Sequence, residues 1–482
     1  MGRRAGRGLI ALLVLVGAAC GQKAGVGDPI AAPTTTGPPP VTVATGSPTG
    51  IGTVSPTGPA VAVPPAARNR PGPMPPGAEP VDPAAPNLPP SSPRSADPRQ
   101  AAGDAAPTTV PSPRDQPVDR TGVSDREIIV GVHAPISGAA PVPQDFQRDI
   151  ELYWRWLADR GGLSGRTVRI IIKDDQFNPS HALQVCRELV EVDKVFLLVG
   201  IGADQVAACA RYAQSAGVPY LSLGGNEDAV ADLSLFFALS MTFPQQSPLL
   251  AQLAGRLGTK RVGIVVTATK NYDDTFRSLV SAASHEGLQV VRSSRIGKQA
   301  SQSETLAEAG ALKAAGAEAV FLMASPLVFL NLATSAQSQA YTPIWMGPGM
   351  SNGLNPVTEV GCPAVNGARF LSPFPQLDVI DRFDPDMRAA ARQYNNTEPS
   401  DITLVAWGLN KTLRLMLDAA GPDLHRQGFL AALRSNREFA SNVFPPLRFA
   451  PGRPFGAGQA HLLEADCGQR RFKTVATFVS SF

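Results

Sequence analysis

The sequence predicts an α/β fold: parallel sheets covered on both faces by helices, with enough chain for two doubly wound lobes. Three observations lead there. Over residues 128–200, apolar β-branched runs alternate with helix-patterned stretches, and little else separates them. The same rhythm continues to about residue 420. Finally, about 360 residues follow a proline-rich opening segment, too many for one core of ordinary size.

Residues 127–132 form the first β-branched run, and the loop Pro135, Ile136, Ser137, Gly138 follows it. Residues 146–158 carry Phe146, Ile150, Tyr153, Trp154 and Leu157 at helical spacing. Gly161 and Gly162 stop that helix, because glycine accepts the left-handed conformation without steric cost. Residues 168–172 are an apolar strand ending in Lys173, Asp174 and Asp175. Asn178 and Pro179 start the next helix, and residues 195–199 form a third buried strand. In open sheets of this kind ligands sit at the carboxyl ends of the strands, which puts the loops after Val132, Ile172 and Val199 at a binding site. Further on, residues 218–223, 261–266, 290–292, 319–323 and 342–346 read as strands. Residues 207–216, 247–257, 272–285, 303–315, 327–339, 387–395 and 404–420 read as helices. Short strands and turns follow Arg448 and end in residues 471–479.

The first 20 residues read as an export signal. Arg3, Arg4 and Arg7 precede an apolar run over residues 9–16, too short to span a bilayer of about 30 Å. Gly17, Ala18 and Ala19 lead to Cys20, the position at which a bacterial lipoprotein is acylated, although Gly17 stands where that pattern usually has Leu. An ordinary cleaved signal with an incidental cysteine is the alternative. Residues 21–122 hold more than half of the 46 prolines, and the first aromatic residue is Phe146. Such a segment buries too little apolar surface to offset its conformational entropy, so a disordered Pro-rich stalk is expected. As polyproline II it would reach about 3.1 Å per residue, on the order of 300 Å in all. It is either a spacer through a thick cell wall or a linker of indifferent length. A net charge of +3 without a basic stripe argues against nucleic acid as a partner.

Four segments together resemble one known family: Ile136-Ser137-Gly138; Gly161 to Arg166; Asp174-Asp175 with Pro179; and Leu189 to Phe196. In this order and spacing they are similar to the leucine/isoleucine/valine-binding type of solute-binding protein that serves ABC importers. The resemblance runs from about Val123 to about Phe482 and is weaker after Leu430. It implies a type I periplasmic binding protein-like fold of two α/β lobes joined by a three-crossing hinge. On that mapping, residues 123–244 with 374–446 make one lobe, and 245–373 with 447–482 make the other.

Besides Cys20 there are four cysteines, Cys186, Cys209, Cys362 and Cys467, an even set that an exported protein is expected to pair. Three pairings are possible. Cys186 and Cys209 lie on the helices after the second and third strands, which right-handed crossovers set side by side. Cys362 and Cys467 both map to the second lobe, and mixed pairings would tie the lobes together. The expectation is therefore Cys186–Cys209 and Cys362–Cys467.

The resemblance also implies where a ligand is held. Ser137 and Gly138 follow the first strand, with a hydroxyl beside free backbone N–H groups. Gly202 and Asp204 open the helix that contains Cys209, whose N-terminal N–H donors suit an anion. Amino-acid binders of the family carry a hydroxyl residue near this point for the substrate carboxylate. Asp204 would instead repel a carboxylate, or serve as helix cap. Ser222, Gly224, Gly225 and Asn226 end the fourth strand, where the family has a small-residue turn and a Ser or Thr. Tyr272 matches an aromatic that covers ligand from the second lobe, Ser325 lies near another, and Gly349 falls where amino-acid binders carry an acid for the α-ammonium group. Both halves of the amino-acid clamp are thus altered, and a ligand other than a standard branched-chain amino acid is expected.

Other chemistry finds little support. Gly200 and Gly202 begin a dinucleotide-like pattern, but Gln205 replaces its third glycine. His133, His181, His285, His425 and His461 are scattered without metal-ligand spacing, so neither a metal nor a cofactor is expected. Asp174 and Asp175 read as a solvated loop end, and Trp154 and Trp156 as packing residues. No catalytic group stands out. The expected function is a lipid-anchored receptor on the outer face of the cytoplasmic membrane, a monomeric domain that passes a small solute to an ABC permease and ATPase. A sensor for a membrane signalling system, or a ligand-less cell-envelope interaction protein on the same fold, are the alternatives.

Overall fold

A computed structural model describes residues 118–138, 141–202, 204–224 and 227–482. The signal, Cys20, residues 21–117, Gly225 and Asn226 lie outside the described residues, whereas residues 118–122, expected to end the stalk, join the fold: Asp119 pairs with Arg426 and Gly122 O accepts Ile129 N.

The chain opens with β1 (Glu127–Ala134), α1 (Phe146–Asp149), α2 (Leu152–Ala158), β2 (Thr167–Asp174), α3 (Pro179–Glu191), β3 (Leu197–Gly200), α4 (Asp204–Ser215), β4 (Tyr220–Ser222), α5 (Glu227–Val230) and β5 (Phe236–Ala238). These five strands form one sheet in the order β2-β1-β3-β4-β5. Every pair in it is parallel. The register sets Val132 beside Ile172 and Val199, so the three strands end together and their loops share one edge.

There follow α6 (Phe243–Arg256), β6 (Arg261–Thr267), α7 (Asp273–His285), β7 (Gln289–Ile296), α8 (Gln302–Ala315), β8 (Ala319–Met323), α9 (Pro326–Ser338), β9 (Ile344–Pro348), α10 (Asn355–Gly361) and β10 (Arg369–Ser372). The chain then runs through α11 (Ile380–Phe383), α12 (Asp386–Ala390), a π-helical turn (Ala391–Asn395), α13 (Asp401–Ala419) and α14 (Arg426–Leu433). It ends with β11 (Glu438–Phe439), β12 (Leu447–Arg448), β13 (Ala460–Asp466) and β14 (Arg471–Val479). The second sheet has the order β14-β13-β10-β9-β8-β6-β7. It is parallel from β10 to β7 and antiparallel where β13 and β14 add to it.

The chain therefore passes three times between the sheets: after β5, after β10, and before β13. The first return is anchored by α13, which packs on α1 and α2. Its Asn410 accepts from Trp154 Nε1 at 2.9 Å and donates to Ile150 O at 2.6 Å. Tyr153 and Trp156 stack edge-on against Trp407, which makes Trp154 and Trp156 packing residues. On the last crossing, Pro454 O and Gly456 N bond Ala238, extending the first sheet past β5.

Several expectations change, among them the helix over residues 387–395, which is α12 followed by the π-helical turn. The helix over residues 146–158 is interrupted at Ile150, because Asn410 takes the Ile150 carbonyl and Thr403 and Asn395 hold the buried Asp149 carboxylate. The strand over residues 290–292 extends to Gln289–Ile296, since its polar residues face half-exposed toward α8 rather than ending the strand. Both expected disulfides are present, Cys186–Cys209 with Cα atoms 6.0 Å apart and Cys362–Cys467 at 5.5 Å.

Candidate functional site

The loop after β1 is fastened by one carboxylate. Asp174, the last residue of β2, accepts Ile136 N at 2.9 Å, Ser137 N at 3.1 Å and Ser137 Oγ at 2.5 Å. Burial opposes its ionisation, but these bonds and one from Gln176 outweigh it and hold the carboxyl below its ordinary value. Ser137 thus gives its hydroxyl proton and its N–H to Asp174 and keeps the acceptor side of its hydroxyl. Gly138 has φ +97°, and a Cβ there would lie 2.2 Å from Gln176 O, so glycine is required.

Asp175 is not solvated. It is fully buried and meets His133 Nδ1 at 2.8 Å, while His133 Nε2 lies 2.6 Å from the Tyr220 hydroxyl. Burial, then the charge of Asp175, pushes the Tyr220 phenol well above its ordinary value. A Cβ on Gly200 would meet that hydroxyl at 1.6 Å, which explains the glycine at the end of β3. The His133 ring and the sulfurs of Cys186 and Cys209 come within 4.8 Å of one another, but both sulfurs are spent in the disulfide and offer no thiolate.

Asp204 opens α4 as its first residue rather than preceding it as a cap, and its Oδ2 lies 2.6 Å from Lys298 Nζ. Lys298 sits in the turn after β7, so this ion pair joins the two sheets' loops. Gly202 precedes it with φ +145°. Tyr272 closes a 3-10 turn (Lys270–Tyr272), packs edge-on against Phe243 with ring centres 6.0 Å apart, and is half-buried. Burial, helped by the charge of Asp204, pushes its phenol up to about 12.

Ser222 is buried and its hydroxyl is used on the loops: it lies 2.6 Å from Gly224 O and 3.1 Å from Gly200 O. A Cβ on Gly224 would come within 2.3 Å of Met350 Cε and 2.7 Å of Ser240 Oγ. Met350, after β9, therefore fills the space over Gly224. Gly349 donates to Leu371 O, and a Cβ there would meet Phe370 Cβ at 2.8 Å. Ser325 caps α9, accepting Val328 N at 3.4 Å. Nearby Asn352 is buried, donates to Ala324 O at 3.1 Å, and leaves its Oδ1 without a partner among the described residues.

The loops of Gly202, Asp204, Ser222 and Gly224 thus face those of Tyr272, Lys298 and Met350, while Ser137 turns to Asp174 and Ser325 to its helix. Sequence reasoning missed Lys298 and Met350. Lys298 reaches Asp204 because β7 runs on to Ile296, which no local pattern encodes, and a methionine beside a glycine turn carries no motif.

A family model described as periplasmic binding protein matches residues 127–466. Leu/Ile/Val-binding protein homolog 7 of Brucella abortus (strain 2308) is 24% identical over 302 residues, 58% of this chain and 73% of that protein. Among solved structures, the solute binding protein of an ABC transporter from Rhodopseudomonas palustris BisB5, in complex with 3,4-dihydroxybenzoic acid, superposes with a TM-score of 0.61 at 16% identity, covering 74% of this chain and 99% of that one. A fatty acid ABC transporter substrate-binding protein from Thermomonospora curvata gives 0.64 at 19% identity, covering 77% and 96%. At these identities the two structures speak for the fold. The family match runs from β1 to the end of β13 and so takes in both sheets and all three crossings: the chain belongs to the periplasmic binding protein family.

Proposed function

We propose that this protein is a lipid-anchored, extracytoplasmic solute-binding protein that captures a small polar metabolite and presents it to an ABC permease and its ATPase. Its solute is not a standard branched-chain amino acid. One observation carries the second statement: the two positions that would grip an amino acid are both unsuited to it. Asp204 puts a carboxylate, paired with Lys298, at the start of α4, and Gly349 has no room for any side chain. The family supports the solute-binding part of the first statement, as do similar proteins whose names or bound molecules are 3,4-dihydroxybenzoic acid, fatty acid or Leu/Ile/Val, while Cys20 behind its export signal supports the anchor. Binding would favour the closed arrangement of the lobes, residues 123–244 with 374–446 against 245–373 with 447–482, and the permease would read closure.

The test is a thermal-shift screen of the full chain against a broad metabolite panel. A true solute at 100 times its dissociation constant adds about 2.7 kcal/mol of stability. Tight leucine binding in calorimetry would sink the ligand assignment. One observation favours a second reading, a ligand-less envelope protein: the facing loops already bond one another through Asp204–Lys298 and Met350 on Gly224. That reading predicts no stabilisation by any metabolite.

A further inference from the structure

A narrow cavity with room for about one water lies where the three crossings meet. Its walls come from Ser240 and Met241 on the first crossing, Leu371 and Ser372 on the second, and Ala460 on the third, with Met350 closing it toward Gly224. Gln246, in the second turn of α6, is 5% exposed and lines it. Its Nε2 points to Met241 O at 3.4 Å, but its Oε1 is buried without a hydrogen-bond partner among the described residues.

We propose that this cavity is the inner subsite of the solute cleft and that Gln246 Oε1 selects an uncharged hydrogen-bond donor, a hydroxyl or primary amide, as the polar head of the small metabolite. The inference rests on the solute-binding reading and names the chemistry of that solute. An unpaired buried carbonyl oxygen attracts a donor and repels a carboxylate. Among the described residues lining the cavity none is charged, so neither a carboxylate nor an ammonium head would find a counter-ion there. Met241, Phe243 and Leu371 give an apolar wall for the body of the solute. Met350 is the movable part. Its unbranched side chain swings away from Gly224 as the head enters, a motion that a β-branched residue would resist.

The test is calorimetric titration of the full chain with three probes of one skeleton: benzamide, benzyl alcohol and benzoate. The amide or the alcohol should bind at least about tenfold tighter than benzoate. Gln246→Leu should weaken that probe about tenfold or more without lowering the thermal midpoint. Gln246→Glu should shift preference to benzylamine, and Met350→Ala should tighten the neutral probes. Equal affinity of wild type and Gln246→Leu for a neutral probe overturns the subsite, as does preference for benzoate. A metabolite-panel hit that Gln246→Leu leaves unchanged also overturns it while retaining the solute-binding reading. If no probe and no metabolite binds wild type or Met350→Ala, both readings fall.

Discussion

At the carboxyl end of β2 two neighbouring aspartates have opposite environments. Asp174 faces outward and ties the Ile136–Ser137 backbone, whereas Asp175 points inward to His133. A sequence gives only the dipeptide; the strand's alternation, together with a partner 42 residues away, decides which carboxylate is buried. Two other buried groups make the stability depend on pH in opposite directions. His461, on β13, has its imidazole lowered to about 4 by burial. The unfolded chain therefore takes up a proton that the folded one refuses, and stability is lost as pH falls from about 6.5 to about 4. Asp401, at the start of α13, is pushed up to about 6 by burial, against the pull of the Asn355 N–H. Here the folded chain takes the proton first, so stability is gained as pH falls from about 6 to about 4. Each effect is worth about 3 kcal/mol at about 1.4 kcal/mol per pKa unit. Relative to wild type, His461→Phe should gain stability on acidification through this window in urea melts, and Asp401→Asn should lose it. Parallel curves for all three proteins would refute both assignments. The Asp204–Lys298 pair is half open to solvent, so Lys298→Ala should change stability by less than about 1 kcal/mol.

Elements that carry their own caps and apolar runs were legible. The Asn178–Pro179 start of α3 and the Gly316 end of α8 are written locally, and the structure has Asn178 accepting Ser180 N and His181 N. Elements whose existence depends on a neighbour were not. β5 has three residues and becomes a strand by pairing with β4; β10 and β13 pair across a separation that no local pattern encodes. The same holds for the site: Gly202 and Gly224 were legible as turn residues, but Lys298, Met350 and Gln246 acquire meaning only from what faces them. The disulfides belong to this scale, because each joins elements of one sheet's layer. With the paired cysteines 23 and 105 positions apart, removing Cys186 and Cys209 together should cost about 3 kcal/mol, and removing Cys362 and Cys467 about 5 kcal/mol. Urea denaturation of the two double alanine variants checks the order, and an equal loss would count against the loop-entropy account.

For the molecule as a whole, two sheets are joined at three crossings, and their halves also touch through the Asp204–Lys298 ion pair, through Met350 over Gly224 and through the Asn355 N–H on Asp401. Weakening those contacts should release the hinge without unfolding either half. Lys298→Ala combined with Met350→Ala should enlarge the radius of gyration in small-angle scattering, and a saturating solute should reverse the change; identical profiles would show that the closure is set elsewhere. The order of the chain has a separate consequence. β13 and β14, at one side of the second sheet, are made after its other strands, and Cys467 follows β13 directly. Cys186 and Cys209 can meet as soon as α4 has emerged, whereas Cys362 must wait, unpaired, for about another hundred residues. Maturation is therefore sequential: the first sheet can be sealed while the second still lacks its edge, and a chain stopped short of β13 would carry a finished half beside a half with an open edge and a free thiol.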